Sequence, residues 1–449
     1  MSRAAGGRAG GRAGGRLGRP FWLLFGGESA SALGTAASVV ALPVVALHTA
    51  GDVRQAGLAG TALSVGVLLA RLPAGVIADR CERRTLLLVC DLAGAGVLAA
   101  LALLASGGPA PLWALLAAAL LLGAVGSTLA PAENVAVRSF VRPELLPRAL
   151  GLLQTRAAVA LIAGPLVAGA LLAVDPAWVF AADAGSYLAA ACCAALLPRE
   201  VRDEAEDGLT ERDGLTERDD LTERDGPVER GGRAALVEGL RFIWRMPFLR
   251  YAAVNAAVLN LVFNGLLIVV VASAGDTVDV GVLTAALGAG GLAGSLFASA
   301  VARRLPPARG IALGTVVVAI ALPGFTALQG HWSAAVPLAV AAAAGPVVTV
   351  LIAVTQMAVT PPRLQGRVHS GIGFLAQVVA PVGPTLAGLS AHALGLTGTV
   401  AAAAAIVVVL AVVGVAVTAG RAGGGRPDPA GAEPLPEQRR DDPVEARRG

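Results

Sequence analysis

The sequence predicts an all-α membrane protein whose twelve transmembrane helices form two pseudo-symmetric six-helix bundles. Three observations carry that expectation. Hydrophobic residues make up 55% of the 449 and charged residues only 15%, with mean hydropathy +0.71, whereas a soluble domain is about one quarter charged. Twelve apolar runs recur along the chain, each near the roughly twenty residues that cross a bilayer. The arginines between those runs fall in every second link, as they do when basic residues are retained on the cytoplasmic side.

Residues 1–20 hold five arginines among glycine and alanine. They are too polar to fold and lack the apolar centre of a signal peptide, so a disordered cytoplasmic tail is expected. Apolar runs follow at 21–47, 55–78, 85–106, 110–132, 150–173 and 177–197, which makes 21–197 the first bundle. A second set lies at 251–274, 279–301, 310–328, 333–358, 369–391 and 399–418, the bundle of 251–418. The links DRCERR, 133–149, RRLPPAR and PPRLQGR bear arginine, while SGGPAP, DPAW, GDTVD and LGLTG bear none. Only Arg54 is assigned to an outer link, and only Arg71 and Arg156 fall within spans. Both termini are therefore expected inside, in a multi-pass cell-membrane protein.

Between the bundles, 198–250 is read as a cytoplasmic linker. It contains GLTERD-GLTERD-DLTERD at 208–225, a charge-balanced hexapeptide repeat that suits no heptad or solenoid. From Leu236 to Arg250 the pattern becomes amphipathic, with Trp244 and Phe248 among arginines, as in a helix lying in the membrane interface. The tail 419–449 is rich in Gly, Pro and charge and is expected to be disordered.

The most informative stretch is Leu72-Pro-Ala-Gly-Val-Ile-Ala-Asp-Arg-Cys-Glu-Arg-Arg84, where one apolar run turns through arginines into the next. It resembles the loop signature G-x-x-x-D-R-x-G-R-R of the major facilitator superfamily, carried here by Gly75, Asp79, Arg80, Arg83 and Arg84. Glu82 replaces the signature's second glycine. The resemblance implies a conformational latch, and the residue chemistry suits one. Glycine admits a close helix neighbour, and an aspartate can sit at the positive end of a facing helix.

Sliding the first half along the second by 219 positions brings Gly75 onto Gly294, Arg84 onto Arg303, Pro143 onto Pro362 and Arg148 onto Arg367. The same shift lays Gly164-Pro165-Leu-Val-Ala-Gly169 on Gly383-Pro384-Thr-Leu-Ala-Gly388. Two such halves match the parallel repeat of the facilitator fold, with substrate held between them near the midplane. Ala-Pro-Ala at 130–132, RPELLPRALGLL and the segment from Thr360 to Gly388 look like the macrolide-efflux and enterobactin-exporter branch. The segment Ala160 to Gly169 is similar to that family's drug/proton antiport motif, with alanines in place of its outer glycines. A proline at Gly164-Pro165 removes a helix hydrogen bond, so these segments serve either as a bend that seals one end of a cavity or as ordinary close packing.

Ionisable side chains inside spans are expensive and face a partner or a cavity. The first half has five, Glu28, Arg71, Asp91, Arg156 and Asp183, and the second half has none. Arg71 and Asp91 both lie about 10–12 Å inside the cytoplasmic face on antiparallel neighbours, which suggests an intramembrane ion pair. Glu28 has no partner nearby in sequence, and a carboxylate at that depth is a candidate proton carrier. Arg156 enters the fifth span at similar depth and is its expected counter-charge. Asp183 completes this candidate proton and substrate coupling set, although its place near the outer end of the sixth span suits a rim or packing residue better than a proton site. The four histidines, His48, His331, His369 and His392, fall at span ends or in links, and Cys81, Cys90, Cys192 and Cys193 lack metal-ligand or disulfide spacing. There is no Walker A loop, so neither ATP nor a metal or other cofactor is indicated. The net charge of +4 comes from loop arginines and points to membrane orientation, not to nucleic acid. The reading is therefore a secondary transporter and not an enzyme. It acts as a monomer in the lipid bilayer and exchanges protons for a small amphipathic molecule such as a drug, macrolide or siderophore-like compound.

Overall fold

The computed structural model describes residues 17–198, 240–328, 331–361 and 364–422, without the side chains at 72, 75, 76, 78–80, 331, 332 and 417–422. The expected N-terminal tail, the hexapeptide repeat and nearly all of the C-terminal tail lie outside the described residues. The described chain is built from helices: α1 Arg19–Ala50, α2 Val53–Arg80, α3 Arg83–Ser106, α4 Leu112–Phe140, α5 Leu146–Leu172, α6 Pro176–Ala195, α7 Pro247–Ser273, α8 Thr277–Arg304, α9 Pro307–Ala327, α10 His331–Val359, α11 Gln365–Val378 and α12 Val382–Ala422.

Two of these bounds differ from the apolar runs. The fourth span was expected to stop at 132, before Glu133, but α4 passes through Pro131 and ends at Phe140. Neighbouring helices can absorb the hydrogen bond that a proline removes from a membrane helix. At the other end of the chain, α11 gives way to α12 through i→i+3 bonds, Ala380 N–H to Gln377, Val382 to Val379 and Gly383 to Ala380, each 3.1–3.2 Å. Pro381 and Pro384 cannot donate and crowd the carbonyls behind them, so the helix tightens there. The segment 365–416 is apolar over 52 residues, about 78 Å of helix and twice what a bilayer accommodates. It folds back at Gly395, whose φ of 72° and ψ of 172° lie where a side chain is strained. The eleventh and twelfth spans are thus joined by one non-helical residue.

One apolar core is built almost entirely from α1–α6 and the other from residue 240 onward. Within the first half, α1 packs on α5 and α6, α2 on α4, and α3 on α4 and α6; α8–α10, α9–α10 and α9–α12 repeat the scheme in the second half. The halves meet along two seams, α5 with α8 and α2 with α12.

The halves do not superpose at one constant spacing. Val53–Arg80 and Thr277–Arg304 are both 28-residue helices offset by 224 positions. Leu112 and His331, by contrast, open α4 and α10 at an offset of 219. The difference arises because α9 is three residues shorter than α3 and the link after it two residues shorter. Packing confirms the shift: a side chain at Gly66 would strike Leu120 O, and one at Gly290 would strike Ala339 O. Gly75 therefore corresponds to Ser299 and Arg84 to Ala308, which corrects the pairings with Gly294 and Arg303. Offset 219 holds for the Gly-Pro segments.

Residues 240–245 are helical and pack against the second half. Ile243 is fully buried and Trp244 exposed, and Gly371 of α11 faces Ile243 and Leu240. This accounts for the amphipathic pattern ahead of the seventh span, since Pro247 then opens α7.

Candidate functional site

The ends of the bundle are distinguished by their links. Residues 81–82 and 141–145 mark the arginine-bearing end, and 51–52, 107–111 and 173–175 the opposite one. Measured from the arginine-bearing end at 1.5 Å per residue, Glu28 on α1, Asp91 on α3, Glu133 on α4 and Arg156 on α5 lie about 10–15 Å deep. Four helices thus bring three carboxylates and one guanidinium to a single layer. All three acids are buried, Asp91 completely.

The pairing inside this layer differs from the expected one. Arg156 grips Glu133, Nη1 to Oε1 at 2.5 Å and Nη2 to Oε2 at 2.7 Å. Both side chains are largely removed from solvent, where a two-point charge-assisted bond is strong and geometrically specific. Glu28 is left with Oε1 buried and, among the described residues, unbonded, although Asp91, Glu133 and Arg156 are the charges that act on it. Arg156 keeps Nε buried and unbonded too, so one more acceptor could bind there.

Asp91 has no partner at either oxygen among the described residues, and its expected ion pair with Arg71 is absent. The reason is topological. α2 packs on α1, α4 and α12, whereas α3 packs on α4 and α6, so α2 and α3, though consecutive, are not packed on each other and α4 stands between them. Arg71 instead lines a cleft between the two halves with Asn264 and Gln377.

Asp183 takes the packing place of the two expected for it, buried rather than at the rim, and it does not join Glu28 and Arg156. It is 1% exposed and accepts from Ser38 Oγ at 2.5 Å and Ser186 Oγ at 3.0 Å, while Thr35 donates to Tyr187 OH at 3.0 Å. A side chain at Gly34 would collide with Asp183 Oδ1. Both carboxylate oxygens are thus occupied, Oδ2 in fastening α6 to α1 through Ser38 and Oδ1 within α6 through Ser186.

Of the latch residues, the side chains of Gly75, Asp79 and Arg80 lie outside the described residues. Arg84 Nη2 donates to the carbonyl of Ala195 at 2.6 Å, a cation at the negative end of α6. The side chain of Glu82 turns back to accept from Thr85 at 2.7 Å.

The Gly-Pro segments form the seams. Gly164 presses on Ala36 of α1, within its own half, and Gly383 on Leu261 of α7. The residues that follow cross to the other half. A Cβ on Gly169 would stand 2.7 Å from Thr277 O and 3.3 Å from Gly281 Cα, and one on Gly388 would stand 3.0 Å from Val53 O and 3.3 Å from Gly57 Cα. Thr61 Oγ1 donates to Pro381 O at 2.8 Å, beside Thr385. These contacts sit in the half of the bundle farther from the arginine-bearing links. The seams lie toward that end, and the cleft containing Arg71 lies nearer the arginine-bearing one.

Glu133 is the functional candidate that span assignment missed, because Pro131 ended the apolar run too early. A signal was present: Val135, Ala136 and Val137 resume the apolar pattern beyond the proline.

The sequence model for the Major Facilitator Superfamily matches residues 24–384. The chain is 28% identical over 404 residues to the multidrug efflux pump Tap of Mycolicibacterium fortuitum, covering 84% of this chain and 90% of that pump. Against Tap of Mycobacterium tuberculosis (strain ATCC 25618 / H37Rv) the identity is 26% over 413 residues, with 85% and 89% covered. Similar solved structures include the nucleoside transporter NupG, with TM-score 0.70, 12% identity and 89% of this chain and 99% of that one covered. Another is a bacterial homologue of the human lysosomal transporter Spinster, inward-facing and unoccupied, with TM-score 0.62, 15% identity and 90% and 98% covered. Matched over most of its length by the family's sequence model and by its folds, this chain belongs to the Major Facilitator Superfamily and is a multi-pass membrane transporter, not an enzyme.

Proposed function

We propose that the chain is a proton-driven exporter of small amphipathic compounds from the cytoplasm, working by alternating access with the arginine-bearing end inside. The observation that supports it most is Glu28, a buried carboxylate with an unbonded oxygen in the same layer as Asp91 and the Glu133–Arg156 pair. A charge left unpaired in that setting is costly, and taking up a proton removes the cost. Arg156 can bond Glu133 or turn its buried Nε toward a second acceptor, so proton occupancy of Glu28 and the hold on α4 are linked. Linkage of this kind is a coupling free energy between proton binding and the helix arrangement. The seams of Gly169 and Gly388 close the outer end in this state, and the latch from Gly75 to Arg84 holds the inner hairpin between states.

The kinship with pumps named for multidrug efflux supports the direction, and a mostly aliphatic interior suits apolar cargo. The test is accumulation of a fluorescent dye or a macrolide in cells making the wild type or Glu28→Gln, under an imposed pH gradient. The reading expects low accumulation with wild type and accumulation near that of empty cells with Glu28→Gln. Equal accumulation in the two strains removes the proton role.

A further inference from the structure

We propose that Arg71 is the charge-recognition residue of the substrate cleft and that the transported compound is an amphiphile bearing an oxyanion, a carboxylate or sulfonate. The inference rests on the transporter reading and specifies what is carried. Arg71 is exposed in a cavity of about 190 Å³ lined by α2, α7 and the α11–α12 junction. It forms no hydrogen bond or ion pair among the described residues, and it lies about 13 Å from the arginine-bearing end of α2. Asn264 and Gln377 face the same cavity. The amide of Asn264 is fixed by donation to Asn260 O at 2.8 Å, so the cavity wall offers an oriented amide beside a guanidinium.

The distribution of acids gives the sign of the cargo. Within the described residues from 240 to 422 the only acidic side chains are Asp276 and Asp279, and both stand at the far end, at the start of α8. In the first half, Glu28, Asp91, Glu133 and Asp183 are all buried inside the helix bundle. A cationic substrate therefore finds no carboxylate on the cleft wall contributed by the second half, and meets the repulsion of Arg71 on the other. An oxyanion meets a planar donor fork that can bind two of its oxygens at once, with Gln377 able to donate alongside. The apolar flank of the cavity, Leu63, Val67 and Leu68, suits the hydrocarbon body of the same molecule.

The test uses the full chain in inside-out membrane vesicles energised by a pH gradient, with two probes that share an aromatic body and carry permanent opposite charge, 1-pyrenesulfonate and (1-pyrenylmethyl)trimethylammonium. Wild type is expected to accumulate the sulfonate in preference to the ammonium. Arg71→Gln should lower the initial rate for the sulfonate about tenfold, as loss of a charge-assisted pair implies, while Arg71→Lys retains part of it. Arg71→Glu should turn the preference toward the ammonium, a reversal that misfolding cannot produce. Gln377→Leu leaves Arg71 in place and should raise KM for the sulfonate without lowering the maximal rate. Equal sulfonate rates for wild type and Arg71→Gln would overturn the proposal, as would a wild type that moves neither probe. A wild type that moves the ammonium, and loses that movement with Glu28→Gln, would overturn it while leaving proton-driven export intact.

Discussion

Arg156 holds Glu133 at two points, 2.5 and 2.7 Å, across the α4–α5 boundary. The guanidinium that sequence reasoning assigned to Glu28 is thereby committed to another acid. Glu28 keeps an unbonded oxygen in the same layer among the described residues, and this asymmetry separates the Glu133–Arg156 pair from the group proposed to exchange a proton. Breaking one side of a buried pair leaves an uncompensated charge, which costs about 3–5 kcal/mol. Arg156→Gln should therefore lower the detergent melting temperature sharply, and the double variant Glu133→Gln/Arg156→Gln should recover most of the loss. A double-mutant cycle on thermal unfolding measures this; additive losses would show that the two side chains do not act as a pair.

Asp183 is expected to matter for stability and not for coupling. Asp183→Ala strands the buried hydroxyl of Ser38 in the α1–α6 interface, at about 1–3 kcal/mol, while Ser186 keeps its bond to the carbonyl of residue 183. The ratio of protons to substrate moved by the surviving protein should equal that of wild type. Simultaneous flux measurements in proteoliposomes decide this, and a changed ratio would return Asp183 to the coupling set.

Enlarging the seam glycines should bias the transporter toward its other state. A Cβ already stands 2.7 Å from Thr277 O at Gly169 and 3.0 Å from Val53 O at Gly388, so Gly169→Val and Gly388→Val force α5 from α8 and α12 from α2. Thiol labelling of a cysteine placed at Thr277 should speed up in Gly169→Val, while substrate export falls about tenfold or more, because rigid packed interfaces yield by changing arrangement. Unchanged labelling and export would mean that this contact does not gate the outer end.

At the arginine-poor end, Asp52 caps α2, accepting from Arg54 N at 2.9 Å and Nε at 2.7 Å. The side-chain bond from Arg54 holds its carboxyl below the usual carboxylate range. A carboxyl depressed by folding stabilises above its unfolded value, about pH 4, and loses that contribution as pH falls through the lower folded value. Asp52→Asn should accordingly leave the pH profile of transport unchanged around neutrality and alter acid unfolding only below about pH 4. Transport assayed across pH, beside an acid-unfolding titration, checks both parts.

The sequence carried the fold further than it carried the site. Span number, duplication and the Gly-Pro segments are written in hydropathy and in residues of unusual geometry, which act locally and survive in one dimension. The ion pairs are not legible in the sequence, because they depend on which helices touch and on which of two nearby acids a guanidinium reaches. Arg71 and Asp91 flank the same hairpin, yet α4 lies between their helices, and nothing in the spacing of residues along α2 and α3 records that. Glu133 was hidden by Pro131, a residue that ends helices in water but not where neighbouring helices repair the missing bond. The offset of 224 for α2 and α8 was masked by glycine and arginine coincidences at 219, which only backbone contacts at Gly66 and Gly290 resolve.

The measurement that bears most directly on the account is proton movement itself, read with a trapped pH dye in proteoliposomes of the full chain when 1-pyrenesulfonate is added. Wild type should show a proton flux opposite to the substrate flux, and Glu28→Gln should show none while still binding the probe. An identical proton flux from the two proteins would contradict the assignment of Glu28 as the carrier.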